Sequence, residues 1–291
     1  MSFDLHRPSS LAEAVALATR LGPGARFIAG GTDVVIQVNR GKIAPAHLID
    51  ISLLPGLSGI AETTEGYTIG PLTTYRTIER HPGFQGPLSA LVEAAAVVGG
   101  HQVRNIATVG GNIVNASPAA DFVPPLLTLD AILVIAGPQG TRTLALRDFI
   151  TGPGKTRLGA GELVTAVRFA RLAANSSTAF LKEGRRKAME ISVVCVAASL
   201  TLDASGERCV AARLAVGAAG PTALRPEQAE ASLAGQAAGL AGFRAAGQLA
   251  AAASSPISDV RASADHRRHL VAVLVERALT RCAERIAGAR P

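Results

Sequence analysis

Two glycine-containing runs constrain this chain more than any other feature of its sequence. The run TVGGN at 108–112 continues into neutral polar residues and then into the apolar start of a predicted helix. The run AGGTD at 29–33 follows a short predicted strand. Because glycine lacks a Cβ, turns of this kind let backbone N–H groups approach an anion closely. Two such turns predict one long phosphorylated cofactor held between two segments.

The two runs differ in how specifically they indicate a binding site. After Gly110 and Gly111, the side chains of Asn112, Asn115, Ser117 and Asp121 add hydrogen-bonding groups within an otherwise apolar neighbourhood. These six residues are the more specific signal.

The earlier run alone is equally compatible with a tight strand-to-helix turn. Asp33 would repel a pyrophosphate, so we expect its carboxylate to bind backbone amides. The amides of Gly30, Gly31 and Thr32 would then face the phosphates.

Several other motifs are excluded by their spacing. The run GPGKT at 152–156 is not a P-loop, because Phe149 stands where the first glycine is required, and we expect a loop between two strands. The chain has no GxGxxG fingerprint. Its cysteines and histidines form no metal-binding pattern and no hydrolase arrangement; they are Cys195, Cys209, Cys282, His6, His47, His81, His101, His266 and His269.

Composition narrows the class of protein further. Hydrophobic residues make up 48% of the 291 residues and aromatic residues only 3%, which predicts aliphatic cores. The net charge of +7 is not arranged in basic runs interleaved with aromatics, so we expect no nucleic-acid partner. No secretory signal and no membrane-length apolar run is found, which predicts a soluble cytoplasmic protein.

Apolar periodicity predicts an α+β protein in two unequal parts. In the first part, a helix begins at the capping box 10–13 and ends at Gly22. The composition of 172–177 indicates a linker. Beyond it, strand-like runs precede three helices; the strands are predicted at 178–182, 191–200 and 208–216, and the helices at 226–233, 243–252 and 265–286.

The basic run KEGRRK at 182–187 leaves the strand at the predicted junction of the two parts. Most charge clusters are solvated loops, and this one is open to that interpretation. Ligand clefts also form at such junctions. Lys182 is therefore a candidate cation beside a cofactor that becomes anionic when it is reduced.

Four runs carry a resemblance to a known family: AGGTDVVIQVNRG (29–41), TIGPLTTYRTIER (68–80), QVRNIATVGGNIVNASPAADFVP (102–124) and FLKEGRRKAMEISVVCVA (180–197). They resemble the FAD-binding medium subunit of the molybdenum hydroxylases, the family of xanthine dehydrogenase and carbon monoxide dehydrogenase. The resemblance covers essentially the whole chain. It implies an α+β fold of the vanillyl-alcohol-oxidase (PCMH) type, with FAD between subdomains 1–56 and 57–171. A smaller C-terminal α+β domain, 177–291, would close over the flavin.

The resemblance also implies the cofactor contacts. The two glycine runs match segments that wrap the pyrophosphate, and the complete implied set is Ala29, Gly30, Gly31, Thr32, Asp33, Val34, Val98, Thr108, Gly110, Gly111, Asn112, Asn115, Asp121, Val164 and Lys182. Val98 stands where some members have an aromatic residue that stacks on the flavin. Neither tyrosine of the chain lies in the matching flavin-covering loop, 183–190.

For function, the resemblance implies an oxidoreductase subunit that transfers electrons. A large partner subunit would oxidise substrate at a molybdenum cofactor, and a small partner would relay electrons through two 2Fe-2S clusters to the FAD of this chain. An external acceptor would then be reduced, in a dimer of heterotrimers. Two alternatives stay open: a stand-alone FAD-dependent oxidase or reductase, and a flavin-free scaffold subunit.

Overall fold

The N-terminal part of the chain forms a three-stranded parallel sheet. The computed structural model describes residues 2–186 and 188–289. The first elements are β1 (Asp4–His6), α1 (Leu11–Leu21), β2 (Ala25–Ile28), α2 (Val34–Asn39) and β3 (His47–Asp50). The strand order is β1-β3-β2, and a small aliphatic core lies between the sheet and α1. The short helix α2 follows the run at 29–33, so this run is a strand-to-helix turn, one of the two interpretations that the sequence left open.

Helix α1 shows the predicted start and end signals. The Ser10 hydroxyl accepts a hydrogen bond from the N–H of Glu13 at 3.2 Å. The Glu13 carboxylate reaches back to the N–H of Ser9 at 2.7 Å. Gly22, with φ +64°, follows the last residue. Side-chain capping at the start and glycine in the left-handed region at the end fix both boundaries.

A five-stranded antiparallel sheet forms the middle of the chain, in the order β4-β5-β10-β6-β7. Its elements are β4 (Ile60–Glu62), β5 (Gly66–Ile69), α3 (Tyr75–Arg80), α4 (Ser89–Val97), α5 (His101–Ile106), α6 (Val109–Asn115), α7 (Val123–Thr128), β6 (Ile132–Gly137), β7 (Gly140–Ala145), α8 (Leu146–Phe149), β8 (Ile150–Gly152), β9 (Lys155–Thr156) and β10 (Leu163–Ala170). In the GPGKT run, only Pro153 and Gly154 form the expected loop between two strands; Gly152 ends β8, and Lys155 and Thr156 form β9.

The C-terminal part is a three-stranded antiparallel sheet covered by helices. Its elements are β11 (Ser176–Glu183), β12 (Val194–Leu202), β13 (Cys209–Gly217), α9 (Glu227–Leu233), α10 (Leu240–Ala253) and α11 (Ala264–Gly288). The sheet and the helices share one aliphatic core, as the sequence predicts. The linker prediction was too long: Ser176 and Ser177 belong to β11 and are buried, because they pair with the end of β12.

The middle and C-terminal parts are joined by apolar packing and by ion pairs. The core of the middle part continues into the C-terminal sheet at Cys195, Ala197 and Ala215. Glu93 of α4 accepts hydrogen bonds from Arg285 of α11 and from the backbone of β11. Among the described residues, none of the helices combines the length and apolar character needed to cross a bilayer.

Candidate cofactor site

The two glycine runs lie against each other in the fold. A Cβ built on Gly30 would lie 1.8 Å from the carbonyl oxygen of Ile106, just before the second run. Only glycine permits this approach, because any side chain would overlap backbone atoms. The structure therefore brings together two runs that are distant in sequence, as a cofactor held between them requires.

The first run leaves several backbone donors without an acceptor. It connects β2 to α2, and Gly31 adopts φ +73° at the turn. Within the described part of the chain, the N–H groups of Gly30, Gly31 and Thr32 donate to no protein atom. N–H groups at such a turn bind anions well, so this run suits a phosphate group.

The expected role of Asp33 is wrong. Its carboxylate makes no capping hydrogen bond to α2, although the residue immediately precedes this helix. The side chain lies exposed at the surface of the site. The surrounding protein still removes part of its hydration and raises the pKa of Asp33 above its ordinary value.

The second run is a helix start rather than an open turn. The Thr108 hydroxyl caps α6 by accepting from the N–H of Gly111 at 3.2 Å. The N–H of Gly110 donates to the carbonyl of Pro71 at 2.8 Å, and that of Asn112 to the carbonyl of Thr108 at 3.1 Å. These donors are used within the protein, so the prediction of free amides at Gly110 and Gly111 was wrong.

The two glycines of α6 serve different purposes. A Cβ at Gly110 would lie 2.6 Å from the Pro71 side chain, so this glycine permits close packing. Gly111 is exposed, and a Cβ there would meet only the Thr108 hydroxyl, at 2.9 Å. Gly111 therefore gives the site a surface without side chains.

Polar side chains of α2 and α6 also meet. The amide of Gln37 donates to the Asn115 side chain at 3.2 Å. One turn earlier on α6, the side-chain oxygen of Asn112 is buried and has no hydrogen-bond partner among the described residues. A buried acceptor without a partner is uncommon in native proteins and indicates a missing donor.

Asp121 lies where the middle and C-terminal parts meet. Its carboxylate contacts the ammonium of Lys182 at 2.7 Å and accepts a short hydrogen bond from Ser192. Lys182 also donates to the backbone carbonyls of Glu190, at 2.8 Å, and of Val97, at 3.4 Å. Lys182 thus ties Glu190, which lies between β11 and β12, to the end of α4.

Burial raises the pKa of Asp121, and the neighbouring Lys182 and Ser192 oppose this shift. The ammonium of Lys182 is not the free cation that the basic run suggested, because Asp121 is paired with it. Lys187, the last residue of that run, lies outside the described residues. Ser192 was not predicted, because nothing in its sequence spacing connects it with Asp121.

The remaining predicted contacts are apolar. Val98 follows α4 and is half-buried, and Val164 is buried in β10. Neither can stack on a flavin as an aromatic residue would. The three cysteines are all buried as free thiols. Across the described residues, no group of three or more His, Cys, Asp or Glu side chains is placed to hold a metal ion.

Comparison with known proteins shows which family this chain belongs to. A family model described as the FAD binding domain in molybdopterin dehydrogenase matches residues 1–171. A second, described as the CO dehydrogenase flavoprotein C-terminal domain, matches 179–282. The chain belongs to the FAD-binding medium subunits of the molybdenum hydroxylases. The family resemblance and the α+β fold expected from it are confirmed.

Curated relatives agree with this membership over nearly their full length. The xanthine dehydrogenase FAD-binding subunit of Escherichia coli O157:H7 is 35% identical over 277 residues, covering 94% of both chains. The carbon monoxide dehydrogenase medium chain of Afipia carboxidovorans is 33% identical over 284 residues, covering 98% of both chains. These relatives are dehydrogenase subunits, and this FAD-binding medium subunit is part of an oxidoreductase.

Solved structures match the whole fold. The Cu,Mo-CO dehydrogenase superposes with a TM-score of 0.93 at 33% identity, covering 98% of this chain and 99% of that chain. Quinoline 2-oxidoreductase from Pseudomonas putida 86 gives 0.90 at 29% identity, covering 98% of both. The residues of this site fit FAD, since the open amides and the unpartnered Asn112 oxygen require a polar ligand.

Proposed function

We propose that this medium subunit transfers electrons from 2Fe-2S clusters of a small partner subunit to an external acceptor. A large partner with a molybdenum cofactor would oxidise the substrate of the complex. Bound FAD accepts electrons one at a time and releases them singly or in pairs, which suits the end of a cluster chain. One observation supports this proposal most directly, in a chain of this family. The backbone of Gly30, in the first glycine run, packs against the carbonyl of Ile106, two residues before the second run.

For this chain, we assign distinct tasks to the predicted contact residues. The open amides of Gly30, Gly31 and Thr32, flanked by Ala29, Asp33 and Val34, would hold the pyrophosphate. The start of α6, with Thr108, Gly110, Gly111, Asn112 and Asn115, would form the opposite wall. Val98 and Val164 would provide apolar contacts.

Asp121 and Lys182 have a further task in this proposal. We propose the three domains 1–56, 57–171 and 177–291, and this ion pair links the second to the third beside the cofactor. The pair would also fix Glu190, the last residue of the predicted flavin-covering loop at 183–190, because Lys182 donates to its carbonyl. Closing the site in this way would exclude water from it.

The assembly proposed is a dimer of heterotrimers in the cytoplasm. A tag on this chain should co-purify two partners together with FAD, iron and molybdenum. Titration of the complex with dithionite should reduce both the clusters and the flavin. The reduced complex is then mixed separately with NAD⁺, a quinone, cytochrome c and oxygen to identify the acceptor.

A complex depleted of FAD provides the decisive comparison. Its clusters should still be reduced by dithionite, whereas reduction of the identified acceptor should be lost and restored by added FAD. Acceptor reduction at an unchanged rate without FAD would contradict the proposal. A chain that retains FAD but co-purifies no iron or molybdenum would instead favour a stand-alone flavin oxidase or reductase.

A further inference from the structure

Arg267 is a buried cation at the start of the long C-terminal helix α11. The residue is 3% exposed, although the helix dipole disfavours a positive charge near a helix N-terminus. The carboxylate of Asp259 compensates its charge at a distance of 2.7 Å. A buried charge is costly unless it is paired and hydrogen-bonded. The other contacts of Arg267 therefore indicate what this charge does in the fold.

The guanidinium of Arg267 joins the ends of two strands of the C-terminal sheet. It donates to the carbonyl of Val193, at 2.6 Å, directly before β12. It also donates to the carbonyl of Ala218, at 3.1 Å, directly after β13. Ala218 adopts φ +60°, a left-handed conformation that is unfavourable for alanine. The N–H of Ala218 donates to the carbonyl of Pro118 at 2.8 Å, so hydrogen bonds on both sides hold this residue.

Both strand ends contact the segment that connects α6 to α7. Pro118, the acceptor for Ala218, lies in this segment together with Asp121. The residue before Val193 is Ser192, whose hydroxyl donates to the carboxylate of Asp121. One buried arginine thus fixes the edge of the C-terminal sheet that faces a predicted cofactor contact.

We propose that Arg267 is a positioning residue of the cofactor site, which holds the Ser192 hydroxyl on the Asp121 carboxylate by fixing the backbone at Val193. The inference rests on the proposed placement of FAD beside Asp121. Arg267 lies outside all four runs that carry the family resemblance. Its hydrogen bonds to described residues reach none of the predicted cofactor contacts, so it acts through Ser192.

The titration of Asp121 reports on this arrangement without any cofactor. Its carboxylate faces Lys182, Ser192 and the thiol of Cys195. Because the Ser192 hydroxyl donates to the charged form, it lowers the pKa of Asp121. In the flavin-free chain, Arg267→Met should therefore raise this pKa, as Ser192→Ala does. NMR of a chain with ¹³C-labelled aspartate carboxyl groups measures the pKa, and Asp121→Asn assigns the signal.

A double variant separates positioning from charge. Arg267→Met also removes a positive charge, and a purely electrostatic effect would add to that of Ser192→Ala. If Arg267 acts through Ser192, the double variant should instead raise the pKa of Asp121 by less than the sum of the two single variants. Should Arg267→Met not fold, Arg267→Lys replaces it, because lysine keeps the charge but lacks the planar fork that reaches three acceptors.

FAD affinity shows whether this arrangement serves the cofactor. We expect Arg267→Met to raise the dissociation constant for FAD about tenfold, the size of one hydrogen bond to a charged group. The matched control is Arg285→Met, five turns further along α11 and roughly 27 Å away. Arg285 likewise bonds a strand carbonyl, that of Thr178 at 2.6 Å, and a carboxylate, that of Glu93. The control should lower the melting temperature and leave FAD affinity and the Asp121 pKa unchanged.

Three results would overturn the inference. One is a wild-type value in Arg267→Met for either the Asp121 pKa or the FAD affinity. Another is strict additivity of Arg267→Met and Ser192→Ala in the pKa of Asp121. The third is an equal loss of FAD affinity in Arg285→Met, which would make domain packing in general responsible. If the wild type failed to bind FAD, the proposed function itself would fail, whereas the Asp121 titration would still test Arg267.

Discussion

Gly30 packs its backbone directly onto the carbonyl oxygen of Ile106, with only 1.8 Å available between that oxygen and a Cβ at position 30. The contact joins the N-terminal part of the chain to the start of the second glycine run. Gly30 was expected to expose its backbone N–H to a phosphate, and the structure gives this residue a second role. It lets two backbone segments approach each other, and the cofactor site forms where they meet.

Gly30→Ala should destabilise the fold itself. The new methyl group must displace backbone atoms, and overpacking of this kind costs about 3 kcal/mol in the free energy of unfolding. Urea unfolding of the flavin-free chain measures the effect. Gly24→Ala is the matched control, because a Cβ there meets only the Ala46 side chain, at 3.6 Å. Equal stability of the two variants would contradict the close backbone contact.

Gly111→Leu should separate cofactor binding from folding. Gly111 is exposed, so the larger side chain extends over the proposed FAD wall rather than into a core. We expect the dissociation constant for FAD to rise at least about tenfold, equivalent to 1.4 kcal/mol. The melting temperature of the flavin-free chain should fall modestly, because the new Cβ displaces the Thr108 hydroxyl that caps α6, and loss of such a cap costs about 1 kcal/mol. Gly239→Leu controls for the substitution, since nothing lies within 4 Å of a Cβ there; equal FAD affinity of both variants would exclude Gly111 from the site.

Lys182→Met should lower the free energy of unfolding, because it removes one charge of the buried ion pair with Asp121. Without Lys182, the carboxylate of Asp121 is left buried beside two neutral groups, the Ser192 hydroxyl and the Cys195 thiol. Breaking such a pair costs about 3 kcal/mol in the free energy of unfolding. The double variant Lys182→Met with Asp121→Asn should recover part of this loss, because no uncompensated charge remains. If Lys182→Met were as stable as the wild type, the ion pair between Lys182 and Asp121 would not stabilise the fold.

Asp259 gives the chain an acid-sensitive contact. Hydrogen bonds from the backbone of Arg261 and from Arg267 lower the pKa of Asp259 to about 2 from the ordinary 3.8. Because the native pKa lies below the unfolded one, the carboxylate stabilises the fold above pH 3.8 and this stabilisation disappears as the pH falls towards 2. Arg267 also donates to the carbonyl of Val193, next to Ser192.

Urea unfolding of the wild type and of Asp259→Asn at a series of pH values measures this contribution. The variant should be less stable at pH 7, and its stability should fall less steeply over the same acidic range. Asp148→Asn is the control, because Asp148 makes only a 3.9 Å contact with Arg147 at the surface. Parallel pH profiles for the wild type and Asp259→Asn would disprove the assignment.

The sequence predicted the helices that have capping residues at their ends or an apolar periodicity sustained over many residues. Ser10, Glu13 and Gly22 marked both ends of α1, and the 25 residues of α11 carried a sustained helical pattern. Two short helices, α3 and α5, were missed. Such helices present fewer than two turns, so apolar periodicity cannot distinguish them from loops.

At the predicted site residues, the sequence did not predict the hydrogen bonds that the structure shows. The Gly-Gly pair at 110–111 resembles an open turn, yet the Thr108 hydroxyl starts a helix there. The partner of Lys182, Asp121, lies 61 residues away in the chain, and Ser192 lies 71 residues from Asp121. Such contacts depend on how the middle and C-terminal parts dock, which no local pattern records.

The most direct test of this account is the cofactor content of the purified chain. Its visible absorbance is recorded, and the pigment released by heat is separated by chromatography and quantified. The account predicts a flavin spectrum and about one FAD per chain, with most of it absent from Gly111→Leu and present in Gly239→Leu. A colourless chain that cannot be reconstituted with FAD would contradict it.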